Sequence, residues 1–250
     1  GLTLRFAEGA GMQVSWYWHR GGELYAVGTA EAPIIFTAMN GENGGWNGLY
    51  FYDHSDDVTG IESILEHCII EKGNTYNLMM DNTNQPSQIN NCIFRDAIGC
   101  GAYIYGSTNM TDCQVMDNGS DGLYFKNSSN AVLTNCDIHD NGGNGVKSES
   151  AMLNMHDVSL TGNGGYGMYY TNAHYMNIID NVEIEGNALG QVAMDGGDIT
   201  ENRIWNSYTY DILGTIRVGS PSDGTYRRLT LMAGLTLRFA EGAGMQVSWY

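Results

Sequence analysis

The middle of the chain repeats a short motif at nearly constant spacing, and this repeat limits the possible folds more than any other feature. Segments that open on glycine and continue as an alternating run begin at Gly101, Gly122, Gly145 and Gly167, at intervals of 21, 23 and 22 residues. Repeats of this length are typical of solenoids. Because no segment has a convincing helical period, the pattern predicts an all-β chain of stacked rungs without crossover helices.

Two further sets of residues recur at nearly the same intervals as these glycines. They are Cys68, Cys92, Cys113 and Cys136 in one column and Asn118, Asn141, Asn163 and Asn187 in another. Equivalent residues of a β-solenoid stack at the inter-strand spacing of about 4.8 Å. The cysteines therefore predict a buried ladder of small apolar side chains. The asparagines predict a ladder of side-chain hydrogen bonds in a turn.

The redox state of the cysteines is left open by the sequence. The chain has five cysteines and no C-x-x-C motif, which disfavours a zinc site. Cysteines on adjacent rungs would have Cα atoms close enough for a disulfide. Their parallel Cβ directions favour free thiols instead.

Four segments carry a resemblance to a known family. ILGTIRV, LTLMAGLTLRFAEGAGMQV, GGELYAVGTAEAPIIFTA and GGWNGLYFYD resemble the right-handed parallel β-helix repeat proteins of bacterial and archaeal cell surfaces. The similar parts are Leu229–Phe239, Gly22–Thr37, Trp46–Phe51 and Asn91–Ile204, in the order that the family has. The resemblance implies a right-handed parallel β-helix. It leaves the function open, because this fold carries adhesins, filaments, lyases and hydrolases alike.

The first and last seventeen residues of the chain are identical. Gly1–Tyr17 and Gly234–Tyr250 both read GLTLRFAEGAGMQVSWY, and their starts lie 233 residues apart. That distance corresponds to about ten rungs of roughly 22 residues. We expect residues 1–233 to be one β-helix unit and residues 234–250 to begin the next identical unit of the same solenoid. Further copies would then follow end to end, in one chain or as stacked subunits.

Charge and hydropathy exclude two classes of partner. The chain carries 28 acidic and 11 basic residues, a formal net charge of −17. Nucleic-acid binding requires a basic surface, so it is not expected. No apolar run of eighteen residues occurs, so this segment is not expected to insert into a membrane.

The residue patterns predict a structural rather than a catalytic protein. No lysine or arginine faces a carboxylate cluster in any readable motif, so no catalytic residue is assigned and the chain is predicted not to be an enzyme. We expect a structural rod outside the cell or on its surface, as a fibre, a filament or an adhesin stalk. The alternatives are a polysaccharide lyase or glycoside hydrolase, and a carbohydrate-binding module.

The sequence offers two sets of candidate ligand sites. Acidic residues that could bind calcium, the one cofactor considered, are Asp53, Asp56, Asp57, Asp195 and Asp198. Tyrosines in one column of the repeat are Tyr50, Tyr103, Tyr124 and Tyr169. The flanking columns are largely apolar, so strand alternation allows the tyrosines to point outward and stack on a glycan ligand.

Three Asn-x-Ser/Thr sequences are candidate glycosylation sites. They begin at Asn109, Asn118 and Asn127, close together in the chain. The tripeptide alone is weak evidence. If all three carried glycans, the sugars would decorate one region of the rod.

Overall fold

The computed structural model describes residues 1–14, 22–52, 63–84, 86–127, 131–176, 179–219 and 226–247. These ranges contain thirty short strands and one 3₁₀ turn, Ala173–Tyr175, and no α-helix. No helix in them is long and apolar enough to cross a membrane. The strands build three long parallel sheets and two short ones.

Sheet I has eight strands and sheet II has ten. Sheet I contains β1 (Leu2–Phe6), β4 (Ile34–Ala38), β7 (Cys68–Glu71), β10 (Ile93–Arg95), β13 (Gln114–Met116), β16 (Asp137–His139), β19 (Ser159–Thr161) and β22 (Glu183–Glu185). Sheet II contains β2 (Met12–Val14), β5 (Leu49–Phe51), β8 (Tyr76–Met80), β11 (Cys100–Tyr105), β14 (Leu123–Lys126), β17 (Val146–Glu149), β20 (Tyr166–Tyr170), β23 (Gly190–Met194), β26 (Thr209–Ile212) and β29 (Thr236–Phe239).

Sheet III forms the third side, and two short sheets continue the winding near the C-terminal end. Sheet III contains β3 (Tyr25–Val27), β6 (Ile64–Glu66), β9 (Gln88–Asn90), β12 (Asn109–Thr111), β15 (Ala131–Thr134), β18 (Leu153–His156) and β21 (Ile179–Asp180). Sheet IV contains β24 (Gly197–Ile199), β27 (Thr215–Val218) and β30 (Gly244–Val247), and sheet V contains β25 (Arg203–Trp205) and β28 (Leu229–Leu231).

Each rung visits the three sides in the same order. A strand of sheet I is followed by one of sheet II and one of sheet III, and the chain then pairs in parallel with the rung before. Sheets IV and V take the places of sheets III and I from β24 onward. The architecture is a parallel β-helix, which confirms the predicted fold class.

Alternation along each strand fills the interior with apolar columns. In sheet II, Leu49, Leu78, Ala102, Leu123, Val146 and Met168 lie in register and are all fully buried. In sheet I, Phe36, Ile70, Phe94, Val115, Ile138, Leu160 and Ile184 form the matching column. Every second side chain therefore points outward, which is what positions a site on the surface.

Single residues with left-handed backbone form the corners between sheets III and I. Asn91, Asp112, Asn135, Asp157 and Asn181 occupy this corner in successive rungs, with φ between 51° and 55°. Asparagine and aspartate tolerate this conformation better than other residues with a Cβ atom. The corner geometry explains much of the Asn and Asp content of the rungs.

The asparagine ladder lies at the corner between sheets I and II. The amide of Asn118 donates to Asn141 Oδ1 at 2.9 Å, Asn141 donates to Asn163 at 3.0 Å, and Asn163 donates to Asn187 at 2.9 Å. Asn77, which the spacing analysis did not include, extends the ladder by donating to Asn118 at 3.3 Å. The Oδ1 atoms of Asn141, Asn163 and Asn187 also accept the backbone N–H of the preceding asparagine of the ladder.

The two identical seventeen-residue segments lie on different sides of the β-helix. The first copy places LTLRF in sheet I as β1 and MQV in sheet II as β2. The second copy places TLRF in sheet II as β29 and MQV in sheet IV as β30. The second copy is thus displaced by one side around the axis. The division into a unit of residues 1–233 and the start of a next unit stays a prediction.

Candidate functional site

The outer face of sheet II carries a column of tyrosines. Tyr50, Tyr103, Tyr124 and Tyr169 occupy one register position, with Met79 between the first two and Lys147 between the last two. Their neighbours in sequence point into the core, so the column points outward, as alternation allowed. All four tyrosines are partly exposed.

Two tyrosines that the sequence analysis missed complete this surface, which we call the tyrosine strip: Tyr52, Tyr50, Tyr76, Tyr103 and Tyr124. The ring centroids of successive members lie 5.9, 6.4, 5.3 and 5.0 Å apart. Tyr52 stands two residues beyond Tyr50, so strand alternation could have placed it on the same outward face. Tyr76 lies three residues before Met79, and two consecutive buried residues, Asn77 and Leu78, interrupt the alternation between them, so alternation could not have identified it.

A cluster of charged groups surrounds Tyr124 at the centre of the face. The Tyr124 hydroxyl donates a hydrogen bond to Glu149, whose carboxylate lies 3.7 Å from the Lys126 ammonium. The Lys147 ammonium lies 4.4 Å from the Tyr124 ring centroid, a cation–π contact. Burial raises the pKa of Tyr103, and the positive charge of Lys126 opposes this shift. The sequence missed this cluster because its members come from two different rungs.

The same face continues toward the C-terminal end with a second aromatic pair. The rings of Tyr166 and Tyr169 lie 6.3 Å apart, and the Tyr169 hydroxyl donates to Asp195 at 2.5 Å. Beyond them Arg238 forms a two-point ion pair with Asp211, at 2.5 and 2.6 Å. Aromatic rings and hydrogen-bonding groups therefore alternate along much of the face.

The hydroxyls of this face stay protonated over a wide pH range. Burial raises the pKa of Tyr50 and Tyr103 above the ordinary value. Burial raises the pKa of Tyr124 further still, together with its hydrogen bond to Glu149. Burial also raises the pKa of Tyr169, together with its hydrogen bond to Asp195. At neutral pH each of these groups is a neutral hydrogen-bond donor and acceptor.

Only two of the five calcium candidates, Asp195 and Asp198, lie within the described residues. Asp53, Asp56 and Asp57 lie outside the described residues. Asp195 accepts the Tyr169 hydroxyl, and Asp198 lies 3.4 Å from Arg217. In the described ranges, no three His, Cys, Asp or Glu side chains are grouped so that they could hold a metal ion. Calcium binding stays a prediction.

The three glycosylation candidates differ in accessibility. Asn109 and Asn127 are exposed. Asn118 is 2% exposed, and its amide donates to Phe94 O and to Asn141 Oδ1. A glycan at Asn118 would require this buried nitrogen to leave the asparagine ladder. Glycosylation of the three asparagines stays a prediction.

Comparison with known proteins gives distant structural matches. No curated protein matches the sequence. The periplasmic alginate epimerase AlgG is 11% identical with a TM-score of 0.37, and the match covers 87% of this chain and 51% of the epimerase. Pectate lyase Pel9A is 15% identical with a TM-score of 0.34, covering 98% and 68%. The catalytic domain of Agl-KA is 9% identical with a TM-score of 0.30, covering 98% and 61%.

These matches correct one prediction from the sequence. The chain was predicted not to be an enzyme, and the matching structures are an epimerase, a lyase and a catalytic domain, which contradicts that prediction. At these identities the likeness is one of fold, and no residue role is transferred from these proteins. The chain spans about half the length of the epimerase.

A family model provides the assignment that these structures do not. The model described as "right handed beta helix region" matches residues 26–189, more than half of the chain. The match includes the tyrosine strip, the asparagine ladder and the cysteine column. The chain belongs to the right-handed β-helix family.

Proposed function

We propose that the chain is a carbohydrate-active enzyme that binds an extended polysaccharide along the outer face of sheet II. The observation that carries the proposal is the tyrosine strip, five partly exposed rings in an unbroken row across neighbouring rungs. A row along the solenoid suits a linear polymer, because repeated sugar units can contact repeated rings.

The chemistry of the strip fits sugars. A sugar ring presents C–H groups on its faces and hydroxyls at its edge. A tyrosine presents an apolar ring and a hydroxyl that donates and accepts hydrogen bonds. The Tyr124 hydroxyl is held in place by its hydrogen bond to Glu149, so it is oriented before a ligand arrives.

The cluster around Tyr124 provides the groups for acid–base chemistry. Two of the three lysines of the chain, Lys126 and Lys147, lie here although the net charge is −17. We assign Glu149 as the general base and Lys147 as the cation that stabilises developing negative charge on the substrate. Tyr124 stays protonated and orients the Glu149 carboxylate. The proposed activity would be exercised outside the cytoplasm, where polysaccharides are encountered.

The test separates binding from turnover. The chain is assayed by affinity electrophoresis and by product release on hydroxyethyl cellulose, xylan, polygalacturonate and alginate. Tyr103→Ala removes a ring from the middle of the strip, and Tyr25→Ala removes a tyrosine of sheet III that is 58% exposed. We expect Tyr103→Ala to weaken binding about fivefold, since one aromatic contact contributes about 1 kcal/mol. Tyr25→Ala should bind as the unaltered chain does.

Glu149→Gln tests the catalytic assignment. It keeps the size of the side chain and its acceptor oxygen, and it removes the base. We expect binding to persist and product release to fall at least a hundredfold. Full activity of Glu149→Gln would exclude the assigned base. Equal binding by Tyr103→Ala and the unaltered chain would exclude the strip as the binding surface.

A further inference from the structure

Four cysteines form a continuous column inside the β-helix. Cys68, Cys92, Cys113 and Cys136 occupy the same inward position on the sheet I side in four successive rungs, and none is more than 2% exposed. Each thiol lies within hydrogen-bonding distance of a backbone carbonyl oxygen, at 3.2 to 3.5 Å. All of them are free thiols. The proposed function does not use them.

The spacing of the column does not suit disulfides. A disulfide requires sulfurs about 2.05 Å apart, with Cβ atoms about 3.8 Å apart. Stacked rungs hold equivalent atoms about 4.8 Å apart with parallel Cβ directions. Backbone hydrogen bonds on both sides fix this spacing, for example Gln114 N to Cys92 O and Asp137 N to Cys113 O, both 2.9 Å. Closing a sulfur–sulfur bond would require neighbouring rungs to distort.

The same spacing suits a metal ion with two ligands in a line. A metal–thiolate bond is about 2.3 Å long, so a linear sulfur–metal–sulfur unit spans about 4.6 Å, close to the 4.8 Å between rungs. We propose that Cys68–Cys92 and Cys113–Cys136 each bind one monovalent, thiophilic metal ion of the Cu(I) class. Soft thiolate ligands select Cu(I) over the harder divalent ions.

The column excludes the other common metal geometries. Cysteines two rungs apart are separated by about 9.6 Å, so three cannot converge on one ion. This agrees with the lack of any suitable group of three ligands in the described ranges. A tetrahedral zinc or iron–sulfur site is therefore not compatible with the column, whereas an adjacent pair is complete on its own.

Charge balance favours a monovalent ion. When the ion replaces the proton of one thiol, the pair becomes RS–M–S(H)R and one proton is released to solvent. The complex is neutral, so no net charge is left in the apolar interior.

A surface pocket lies against one end of the column. It has a volume of about 200 Å³, and Cys68 lines it together with His67 and Asn91. It brings solvent to the corner of the rung where the column begins. At the other end, Val158 continues the column in the next rung. Because the chain itself places valine here, Cys→Val substitutions are suitable probes that preserve the core.

Two double variants with equal numbers of thiols test the pairing. Cys113→Val/Cys136→Val leaves the adjacent pair Cys68–Cys92, whereas Cys92→Val/Cys136→Val leaves two cysteines that are two rungs apart. Both keep Cys100, which lies outside the column in β11. The reduced chains are equilibrated anaerobically with Ag(I), a redox-inert monovalent probe, and bound ions are counted by native mass spectrometry. Far-ultraviolet circular dichroism confirms that each variant is folded.

The pairing predicts distinct stoichiometries. We expect two Ag(I) ions in the unaltered chain and in Cys100→Ala, one in the variant with adjacent cysteines, and none in the variant with separated cysteines. Equal stoichiometry in the two double variants would overturn the proposal, because single thiols would then be the ligands. Binding of Ag(I) only after the chain is unfolded would overturn it as well.

Discussion

Removing one inner asparagine of the ladder should destabilise the β-helix far more than removing the last one. Asn141 lies in the middle, and its oxygen accepts Asn118 N and Nδ2 at 3.2 and 2.9 Å. Its amide donates to Val115 O and to Asn163 Oδ1, both at 3.0 Å. Asn141→Ala leaves three buried groups without these partners: an N–H and an amide hydrogen of Asn118, and the Val115 carbonyl. At about 1–2 kcal/mol for each group, the free energy of unfolding should fall by about 3–6 kcal/mol.

The chain contains a matched control at the end of the same ladder. Asn187 makes the same kinds of bonds, to Leu160 O and from Asn163, but it is partly exposed. Water can replace its lost bonds, so Asn187→Ala should cost only about 1–2 kcal/mol. Urea unfolding followed by circular dichroism gives both values, with Asn109→Ala on the exposed face as a neutral reference. If Asn141→Ala and Asn187→Ala lower the free energy of unfolding equally, burial of the asparagine does not determine how much it contributes to stability.

Three other perturbations have outcomes that the structure determines. Tyr170→Phe should increase the free energy of unfolding by about 1 kcal/mol and so raise the urea midpoint, because the Tyr170 hydroxyl is fully buried without a hydrogen-bond partner. A lower midpoint would contradict this. Glu71→Ala should cost about 2–3 kcal/mol in the same assay, since it removes the two-point pair with Arg95 at 2.7 and 2.8 Å and leaves the Thr37 hydroxyl without its acceptor. Alkaline pH should destabilise the fold: burial raises the pKa of Tyr170 and Tyr124, so above about pH 10 the unfolded chain releases protons that the folded chain retains. The urea midpoint should therefore fall between pH 9 and pH 11, and an unchanged midpoint would refute the shifts.

The sequence predicts the repeating part of this molecule well, for a physical reason. Stacked rungs force equivalent residues into columns, so the spacing of Cys92 and Cys113, or of Asn141 and Asn163, directly encodes their contact. Strand alternation likewise places Tyr103 on the outer face. These properties depend on local periodicity, which can be read directly from the amino-acid sequence.

Other features depend on packing between rungs and are not encoded locally. The motif at Asn118 is the same whether its side chain faces solvent or the ladder, and only the corner geometry decides that it is buried. The cluster of Tyr124, Lys126, Lys147 and Glu149 joins two rungs that share the repeat, but the residues of the cluster differ between the rungs and form no motif of their own. A site of this kind becomes visible only when the rungs are stacked.

The displacement of the second copy by one side has a consequence for the identical segments. Arg5 and Arg238 occupy the same position in the two identical segments, yet Arg5 lies beside Thr37 and Arg238 binds Asp211. The sequence of the segment therefore does not determine which side of the β-helix it occupies. The rung on which the segment stacks determines that side. A gene that duplicates such a segment lengthens the solenoid while giving the copied side chains new neighbours. Repetition in this sequence thus generates surface diversity without a single substitution.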